Sequence, residues 1–364
     1  LCADSTVCTG DNLAPELGLT FGNPQFGYWN NQWVVFLTSG YNNIPGSDGI
    51  AGGSGRGALL IVDVATGRVV KTVFTPGGTP DTPAGLAKIS AITSNPSSDP
   101  VVTHIFGGDN LGRMWRFDLT SGTDDVPVTL MGDAGTTQPI TTRPEVTSCR
   151  VPVEAPDGTV TNTVQRVVVF GTGRLLDVPD VANSDLQSIY MVKDSANTIS
   201  PWKTAMVQQT LTLLSSSSGM NQYKISANDV DLSQQNGWYV NLNMNPKERV
   251  NLDPRVVAGS VTVVTNIPAS STSCSVGGSS NVYRLDVCTG SFIDNSSAER
   301  VNGEVVAGET LSATSAAVGF IMVRLPTGVL KMITTTADGQ TITGKGPSTL
   351  SHESRMSGWR RVQN

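Results

Sequence analysis

One local pattern recurs along this chain and limits its possible folds more than any other feature. A strand-like segment ends in Asp, two variable residues follow, and Thr-Gly or Ser-Gly closes the unit. The copies are LLIVDVATGRVVKTV (59–73), MWRFDLTSG (114–122) and VYRLDVCTG (282–290), with LPTGVLKMITT (325–335) as a weaker copy without the Asp. The carboxylate accepts backbone N–H groups in a tight turn, and glycine supplies a positive φ. The pattern therefore predicts repeated β-hairpins.

The second copy indicates which side chains such a strand buries. Side chains alternate between the two faces of a strand, so residues two apart share a face. Trp115, Phe117 and Leu119 are predicted to share one face, and Arg116 and Asp118 the other. The apolar face is expected to pack inside the protein, and the charged face to meet polar groups.

The rest of the chain favours an all-β fold. Short strand-like segments fall between the copies, and no segment longer than about ten residues keeps a helical apolar period. Gly (38) and Pro (20) are abundant, and charged residues make up 15% of the chain, against an average of about 25%. Repeated hairpins predict a β-propeller that forms a single domain over 1–364, with a β-sandwich as the alternative. The stretches 213–222 and 133–146 are predicted to be long loops.

Charge and hydropathy argue against two kinds of partner. The net charge of −6 argues against binding to the phosphate backbone of nucleic acids. No apolar segment approaches the roughly 20 residues that a membrane helix needs, so no membrane span is predicted. The start, Leu1 to Asp4, lacks the basic and then apolar residues of a signal peptide. We therefore expect the chain to be part of a larger precursor.

The five cysteines are Cys2, Cys8, Cys149, Cys274 and Cys288. None forms the Cys-x-x-Cys spacing of a zinc or redox site. Cys2 and Cys8 lie close in sequence and are predicted to form a disulfide, whereas Cys274 and Cys288 are less plausible partners because a strand separates them. The pairing of the remaining three stays open. Oxidised cysteines favour an extracytoplasmic location, with reduced structural cysteines as the alternative.

Catalytic residues are scarce. Any Ser-His-Asp or Cys-His arrangement would have to use His104 or His352, and neither is accompanied by a Gly-x-Ser-x-Gly motif. The Gly-rich segment AGGSGRGA (51–58) precedes a strand instead of following one and opening a helix, so it does not fit a dinucleotide-binding loop. The residues therefore predict a protein that is not an enzyme, with no catalytic or cofactor-binding site.

The Asp-x-x-Thr-Gly repeat resembles the turn of quinone-cofactor dehydrogenases, which are also propellers. In that family a Trp follows the turn and docks on the neighbouring blade. Here Arg-Val-Val-Lys follows Gly67 and Ser-Phe-Ile follows Gly290, and the adjacent Cys pair of some of those enzymes is missing. A quinoprotein-like enzyme, related to the PQQ-dependent dehydrogenases, is therefore the alternative function.

The order of motifs more closely resembles the C-terminal domain of the PilY/PilC family of type IV pilus biogenesis proteins and tip-associated adhesins. The resemblance begins with LGLTFGNPQFGYWNNQWVVFLTSGYNN (17–43) and continues through FGGDNLGRMWRFDLTSG (106–122) and VVVFGTGRLLDVPDVANSDLQSIYMVKD (167–194). It includes ERVNLDPRVVAGSVTVVTNIPASSTSCSVGGSSNVYRLDVCTG (248–290) and the ending RMSGWRRV. The match extends over nearly the whole chain.

This resemblance implies a modified β-propeller of about seven blades at the C-terminus of a large secreted bacterial protein. It implies a role in type IV pilus biogenesis, twitching motility and cell adhesion. The implied partners are minor pilins or the pilus-tip complex and a host or abiotic surface, with an effect on pilus extension versus retraction. The implied location is the cell surface, the pilus tip or the outer membrane.

Family members often carry a calcium-binding loop just before the strand that ends in Ala-Gly-Asp. The corresponding positions here are Asn95, Ser97, Asp99, Val101 (through its carbonyl) and Thr103. Calcium prefers about 6–8 oxygen ligands, several of them carboxylates, and only Asp99 supplies one. We therefore predict no calcium at micromolar concentrations, with weakly bound calcium as the alternative. Asp109 is predicted to accept backbone N–H groups in a tight turn beside Gly112.

Overall fold

The computed structural model describes residues 14–45, 52–154, 157–198, 202–269 and 277–347, whose regular secondary structure is almost entirely β-strand. The first strands are β1 (Gln25–Trp29), β2 (Gln32–Thr38), β3 (Ala58–Asp63), β4 (Val69–Phe74), β5 (Ile89–Thr93), β6 (Val102–Gly108), β7 (Arg113–Asp118) and β8 (Val128–Asp133). Next come β9 (Glu145–Glu154), β10 (Val160–Gly171), β11 (Ser188–Lys193), β12 (Val207–Gln209), β13 (Leu211–Ser217), β14 (Met220–Ile225), β15 (Gly237–Asn241), β16 (Arg255–Val257), β17 (Ser260–Ile267) and β18 (Ser279–Asp286). The last are β19 (Arg300–Val301), β20 (Glu304–Val305), β21 (Gly308–Ser312), β22 (Ala317–Arg324), β23 (Leu330–Thr336) and β24 (Thr341–Lys345). Short 3-10 helices occupy Val178–Val181 and Lys203–Ala205.

The strands group into five larger sheets, of which the third and fourth are interleaved along the chain because β13 and β14 precede β15. The first sheet has the order β1-β2-β3-β4, the second β5-β6-β7-β8, the third β12-β15-β11-β10-β9, the fourth β13-β14-β21-β18-β17-β16 and the fifth β22-β23-β24. Strands β19 and β20 form a separate hairpin. One strand of each sheet contacts the next sheet, in the sequence β1 to β5, β5 to β9, β9 to β16, and β17 to β22. The all-β prediction is confirmed, whereas the number of about seven blades stays a prediction.

Apolar clusters fill the spaces between consecutive sheets. Trp115 and Phe117 of β7 pack towards the first sheet, where they meet Trp29 and Phe36. Met114, the neighbouring residue on β7, packs the other way, in a cluster with residues of the third sheet. A strand that is buried on both faces has a nearly continuous apolar sequence. The predicted alternation along 114–119 is confirmed.

The turns that close the repeated units have the predicted chemistry. Asp63 Oδ1 accepts the Thr66 backbone N–H (2.7 Å), Asp118 Oδ1 that of Thr120 (3.0 Å) and Asp286 Oδ1 that of Thr289 (2.9 Å). The glycines that follow, Gly67, Gly122 and Gly290, have φ values of +70°, +62° and +69°. Glycine adopts this region without the strain that a Cβ would cause. The repeat is therefore a hairpin element of the sheets.

One predicted loop is a hairpin instead. Residues 213–222 lie in β13 and β14, which pair from Leu211 opposite Ile225 to Ser217 opposite Met220. Ser218 and Gly219 join them with φ values of +51° and +79°, which suits a tight two-residue turn. Pairing within the fourth sheet outweighs the low strand propensity of the serines. The segment 133–146 is a connection between β8 and β9, as predicted.

Candidate functional site

Backbone hydrogen bonds link the end of a strand in one sheet to the segment that leads into the next sheet. The Gly40 N–H donates to the Leu86 carbonyl (3.0 Å), the Ile140 N–H to the Asp109 carbonyl (2.9 Å) and the Val250 N–H to the Thr172 carbonyl (2.9 Å). The approach is so close that a Cβ on Gly108 would lie 2.1 Å from Ile140 Cγ2. Glycine at this strand end is therefore required by packing.

Asp109 organises the turn between β6 and β7. Its Oδ1 accepts the backbone N–H groups of Leu111 (2.9 Å) and Arg113 (3.0 Å). Its Oδ2 accepts from Arg113 Nε (3.0 Å) and Trp115 Nε1 (2.9 Å). Burial raises the pKa of Asp109, and the charge of Arg113 opposes that shift. The predicted turn role is confirmed, with Gly112 at a φ of +81°.

Four of the positions predicted from the calcium loop lie in the turn between β5 and β6, and Thr103 lies on β6. Asn95 Oδ1 accepts the Ser97 N–H (3.2 Å), Asp99 Oδ1 accepts the Val101 N–H (2.9 Å), and Thr103 Oγ1 donates to the Ile92 carbonyl (3.3 Å). These oxygens therefore take part in hydrogen bonds within the β5–β6 hairpin. Within the ranges described above, no three His, Cys, Asp or Glu side chains come together to hold a metal ion.

His104 lies on β6 in a charged network between the second and third sheets. Nη2 of Arg116 is 2.6 Å from its Nε2, and Nη1 of Arg166 is 3.4 Å from its Nδ1. Asp194 Oδ1 pairs with Arg116 (3.1 Å) and Asp194 Oδ2 with Arg166 (3.0 Å). Burial lowers the pKa of His104, and both arginines add to this effect. The ring therefore joins two sheets and faces guanidinium groups instead of a nucleophile.

A polar cavity of about 70 Å³ lies beside the backbone hydrogen bonds of Ile140 and Val250 described above. Its walls come from Asn110 and Arg249, from three residues of the β8–β9 connection and from five of the β10–β11 connection, namely Thr136, Thr137, Pro139, Arg174, Asp180, Asn183, Asp185 and Gln187. A binding pocket for a cofactor of drug-like size has about 300–1,000 Å³.

Arg249 and Arg174 of the cavity are both bonded to the connection between β10 and β11. Arg249 donates to the carbonyl oxygens of Arg174 (2.8 Å), Asp180 (2.6 Å) and Asn183 (2.7 Å). The guanidinium group of Arg174 bonds both carboxylate oxygens of Asp180 through Nε (2.9 and 3.1 Å). Burial would raise the pKa of Asp180, but Arg174 and backbone N–H groups outweigh it, and the pKa is lowered. The arrangement therefore holds the β10–β11 connection in place. Sequence patterns did not identify it, because these partners lie up to 75 residues apart.

A disulfide joins Cys149 of β9 to Cys288, two residues after Asp286, with a Cα–Cα distance of 5.7 Å. Asp286 Oδ1 accepts the Cys288 N–H (2.8 Å), so the repeated turn orients this cysteine. The bridge ties the third sheet to the fourth.

Some predicted residues lie outside the described part of the chain, namely Cys2, Cys8, Cys274 and His352. The Cys2–Cys8 disulfide therefore stays a prediction. In the part of the chain that the structure describes, no helix is long and apolar enough to cross a membrane.

Comparisons with known proteins identify relatives. A family model described as the PilY1 β-propeller domain matches residues 4–218. A type IV pilus biogenesis factor PilY1 homolog of Xylella fastidiosa is 25% identical over 291 residues, covering 76% of this chain and 19% of the relative. The type IV pilus biogenesis factor PilY1 of Pseudomonas aeruginosa (strain PAK) is 25% identical over 317 residues, covering 77% of this chain and 26% of the relative.

The fold of this chain is also that of a solved structure. The crystal structure of the Pseudomonas aeruginosa PilY1 C-terminal domain matches it with a TM-score of 0.67 and 22% identity. The match covers 93% of this chain and 74% of the other. The predicted β-propeller fold is therefore confirmed. The chain spans about a fifth to a quarter of the length of these two curated relatives.

Proposed function

The chain belongs to the family of PilY1 β-propeller domains, and on this premise we propose that it is a type IV pilus biogenesis and pilus-tip adhesion module. The observation that carries the proposal is the family match over residues 4–218, joined to the propeller fold. Two of its relatives are named as type IV pilus biogenesis factors. The partners we propose are minor pilins or the pilus-tip complex, and a host or abiotic surface. Through them the module influences pilus extension versus retraction.

We propose an extracytoplasmic location at the cell surface, the pilus tip or the outer membrane. The disulfide between Cys149 and Cys288 supports it, because disulfides form and persist mainly in oxidising compartments. We also propose that the domain acts by binding proteins and is not an enzyme. His104 is the one histidine among the described residues, and it lies between the guanidinium groups of Arg116 and Arg166.

A gene deletion tests the role in pilus biogenesis. We expect a clean deletion in the source bacterium to reduce surface pili and twitching, and the intact gene to restore both. The same deletion in a strain without the retraction motor separates assembly from retraction. Pili should return in that strain if the protein opposes retraction, and should stay absent if assembly requires it. Normal piliation and motility in the deletion strain would contradict the proposal. Dye reduction by the purified domain with quinone, calcium and an alcohol or sugar would favour the quinoprotein alternative.

Calcium binding should be absent from the turn at 95–103 at micromolar concentrations. Asp99 supplies its only carboxylate, and one carboxylate is too little negative charge for a cation that prefers about 6–8 oxygen ligands. Calorimetric titration of the chelator-treated domain is expected to show no micromolar isotherm. A micromolar isotherm that Asp99→Ala removes, while Asp63→Ala in an unrelated turn retains it, would show that weakly charged ligands suffice.

A further inference from the structure

The hairpin of β9 and β10 extends beyond the sheet to which it belongs. Strand β11 pairs with β10 only along Val167–Gly171, whereas β9 pairs with β10 from Val160 onwards. All residues from 160 to 164 are exposed, including Val160 (61%) and Val164 (71%). We call residues 150–154 and 160–164 the arm. Among the described residues, no strand pairs with its β10 edge along Val160–Gln165.

The backbone groups on this edge are available for pairing. Pro152 lies opposite Asn162 and has no N–H, so these two residues do not exchange hydrogen bonds. Further along β10, the Arg166 carbonyl accepts the Asp194 N–H, on the side away from β9. Backbone groups alternate sides along a strand. The N–H and C=O groups of Val160, Asn162 and Val164 therefore point away from β9, and they have no partner among the described residues.

The β10 edge also lacks the features by which sheet proteins block unwanted pairing. Exposed edges are usually protected by charged residues, proline or a bulge. The β9 edge of the arm carries Pro152 and Arg150, whereas Val160–Gln165 contains neither charge nor proline. The pairing of β9 with β10 is regular throughout the arm. In the part of the chain that the structure describes, this edge therefore presents no charge, proline or bulge that would hinder an added strand.

The sequence of this edge is self-complementary. Residues 160–164 read Val-Thr-Asn-Thr-Val, which is the same in both directions. Antiparallel pairing of two copies centred on Asn162 places Val160 opposite Val164 of the other copy and Asn162 opposite its counterpart. The same patch then serves both subunits, as a two-fold interface requires, and Thr–Thr and apolar β-branched cross-strand pairs are favourable.

We propose that a second copy of this chain pairs along this edge, so that two arms form a continuous antiparallel sheet. This dimer goes beyond the proposed role in pilus biogenesis and does not rest on it. The contact is small and consists mainly of backbone hydrogen bonds and two valine pairs. We therefore expect a reversible dimer whose population rises with concentration across the micromolar to millimolar range.

Charge variants at the centre of the interface test the proposal by sedimentation velocity of the purified chain. Asn162→Lys and Asn162→Asp each place two like charges opposite one another, and each is expected to weaken dimerisation at least about tenfold. An equimolar mixture of the two variants should restore the dimer, because Lys then faces Asp. Val178→Lys changes an exposed valine (82%) outside the arm and should leave the dimer unchanged.

Three outcomes would overturn the proposal. These are a monomeric chain at all concentrations, a dimer that neither Asn162 variant weakens, and a mixture that fails to restore association. A chain that is monomeric at all concentrations would also be observed if the edge accepts a strand from a different protein. Thermal unfolding of each variant verifies that loss of dimer is not loss of fold. Since Asn162 is exposed, unchanged melting is expected.

Discussion

Replacing Asp109 with Asn is expected to lower the free energy of unfolding by about 3–5 kcal/mol, the usual cost of breaking a buried ion pair. Asp109 is fully buried and accepts four hydrogen bonds, two from backbone N–H groups and two from the side chains of Arg113 and Trp115. Asparagine has one acceptor oxygen, so its NH₂ group would face another donor. The guanidinium group of Arg113 would lose its anionic partner at the same time.

Urea unfolding followed by circular dichroism measures this effect as a lower midpoint at an unchanged slope. Asp63→Asn is the matched control, because Asp63 occupies an exposed turn of the repeated type and accepts the Thr66 N–H. Its midpoint should change far less than that of Asp109→Asn. Equal midpoints for the two variants would show that the buried network around Asp109 adds little to an ordinary Asp turn.

Asp109 and the repeated turns also show what the sequence could predict. A turn involves residues two to four apart, so Asp63, Asp118 and Asp286 could be assigned N–H partners from spacing alone. The alternation of Trp115 with Arg116 could be predicted for the same reason, since a strand fixes which neighbours share a face. Both predictions concern local geometry, which involves only residues close to one another in the sequence.

The contacts between sheets could not be predicted in this way. Arg249 bonds carbonyl groups 66 to 75 residues earlier in the chain, and His104 lies between arginines of two different sheets. Such pairs depend on which sheets are neighbours and on how far each strand extends. The spacing of residues in the sequence specifies neither of these. The prediction of a loop over 213–222 is wrong because pairing between β13 and β14 outweighs the local preference of serine and glycine for turns.

The disulfide between Cys149 and Cys288 is the longest-range of these contacts, and its removal is expected to cost about 2–5 kcal/mol. The two cysteines are 139 residues apart, so the bridge restricts a large part of the unfolded chain. In the chain-entropy account a loop of this length is worth about 5 kcal/mol, which is the upper end of the range. Cys149 is almost completely buried, so alanine is the better replacement, because serine would add a buried hydroxyl group.

Urea unfolding of the Cys149→Ala/Cys288→Ala variant, with and without a reductant, measures the contribution of the bridge. The oxidised wild-type chain should unfold at the highest urea concentration, and reduction should lower its midpoint towards that of the double variant. Reductant should affect the double variant much less, since the bridge that spans the third and fourth sheets is already gone. A non-reduced digest should contain a peptide pair linked through Cys149 and Cys288. A pair that joins Cys274 to Cys288 would contradict the assignment, because it would close a short loop within one region of the chain and leave the two sheets held by side-chain packing alone.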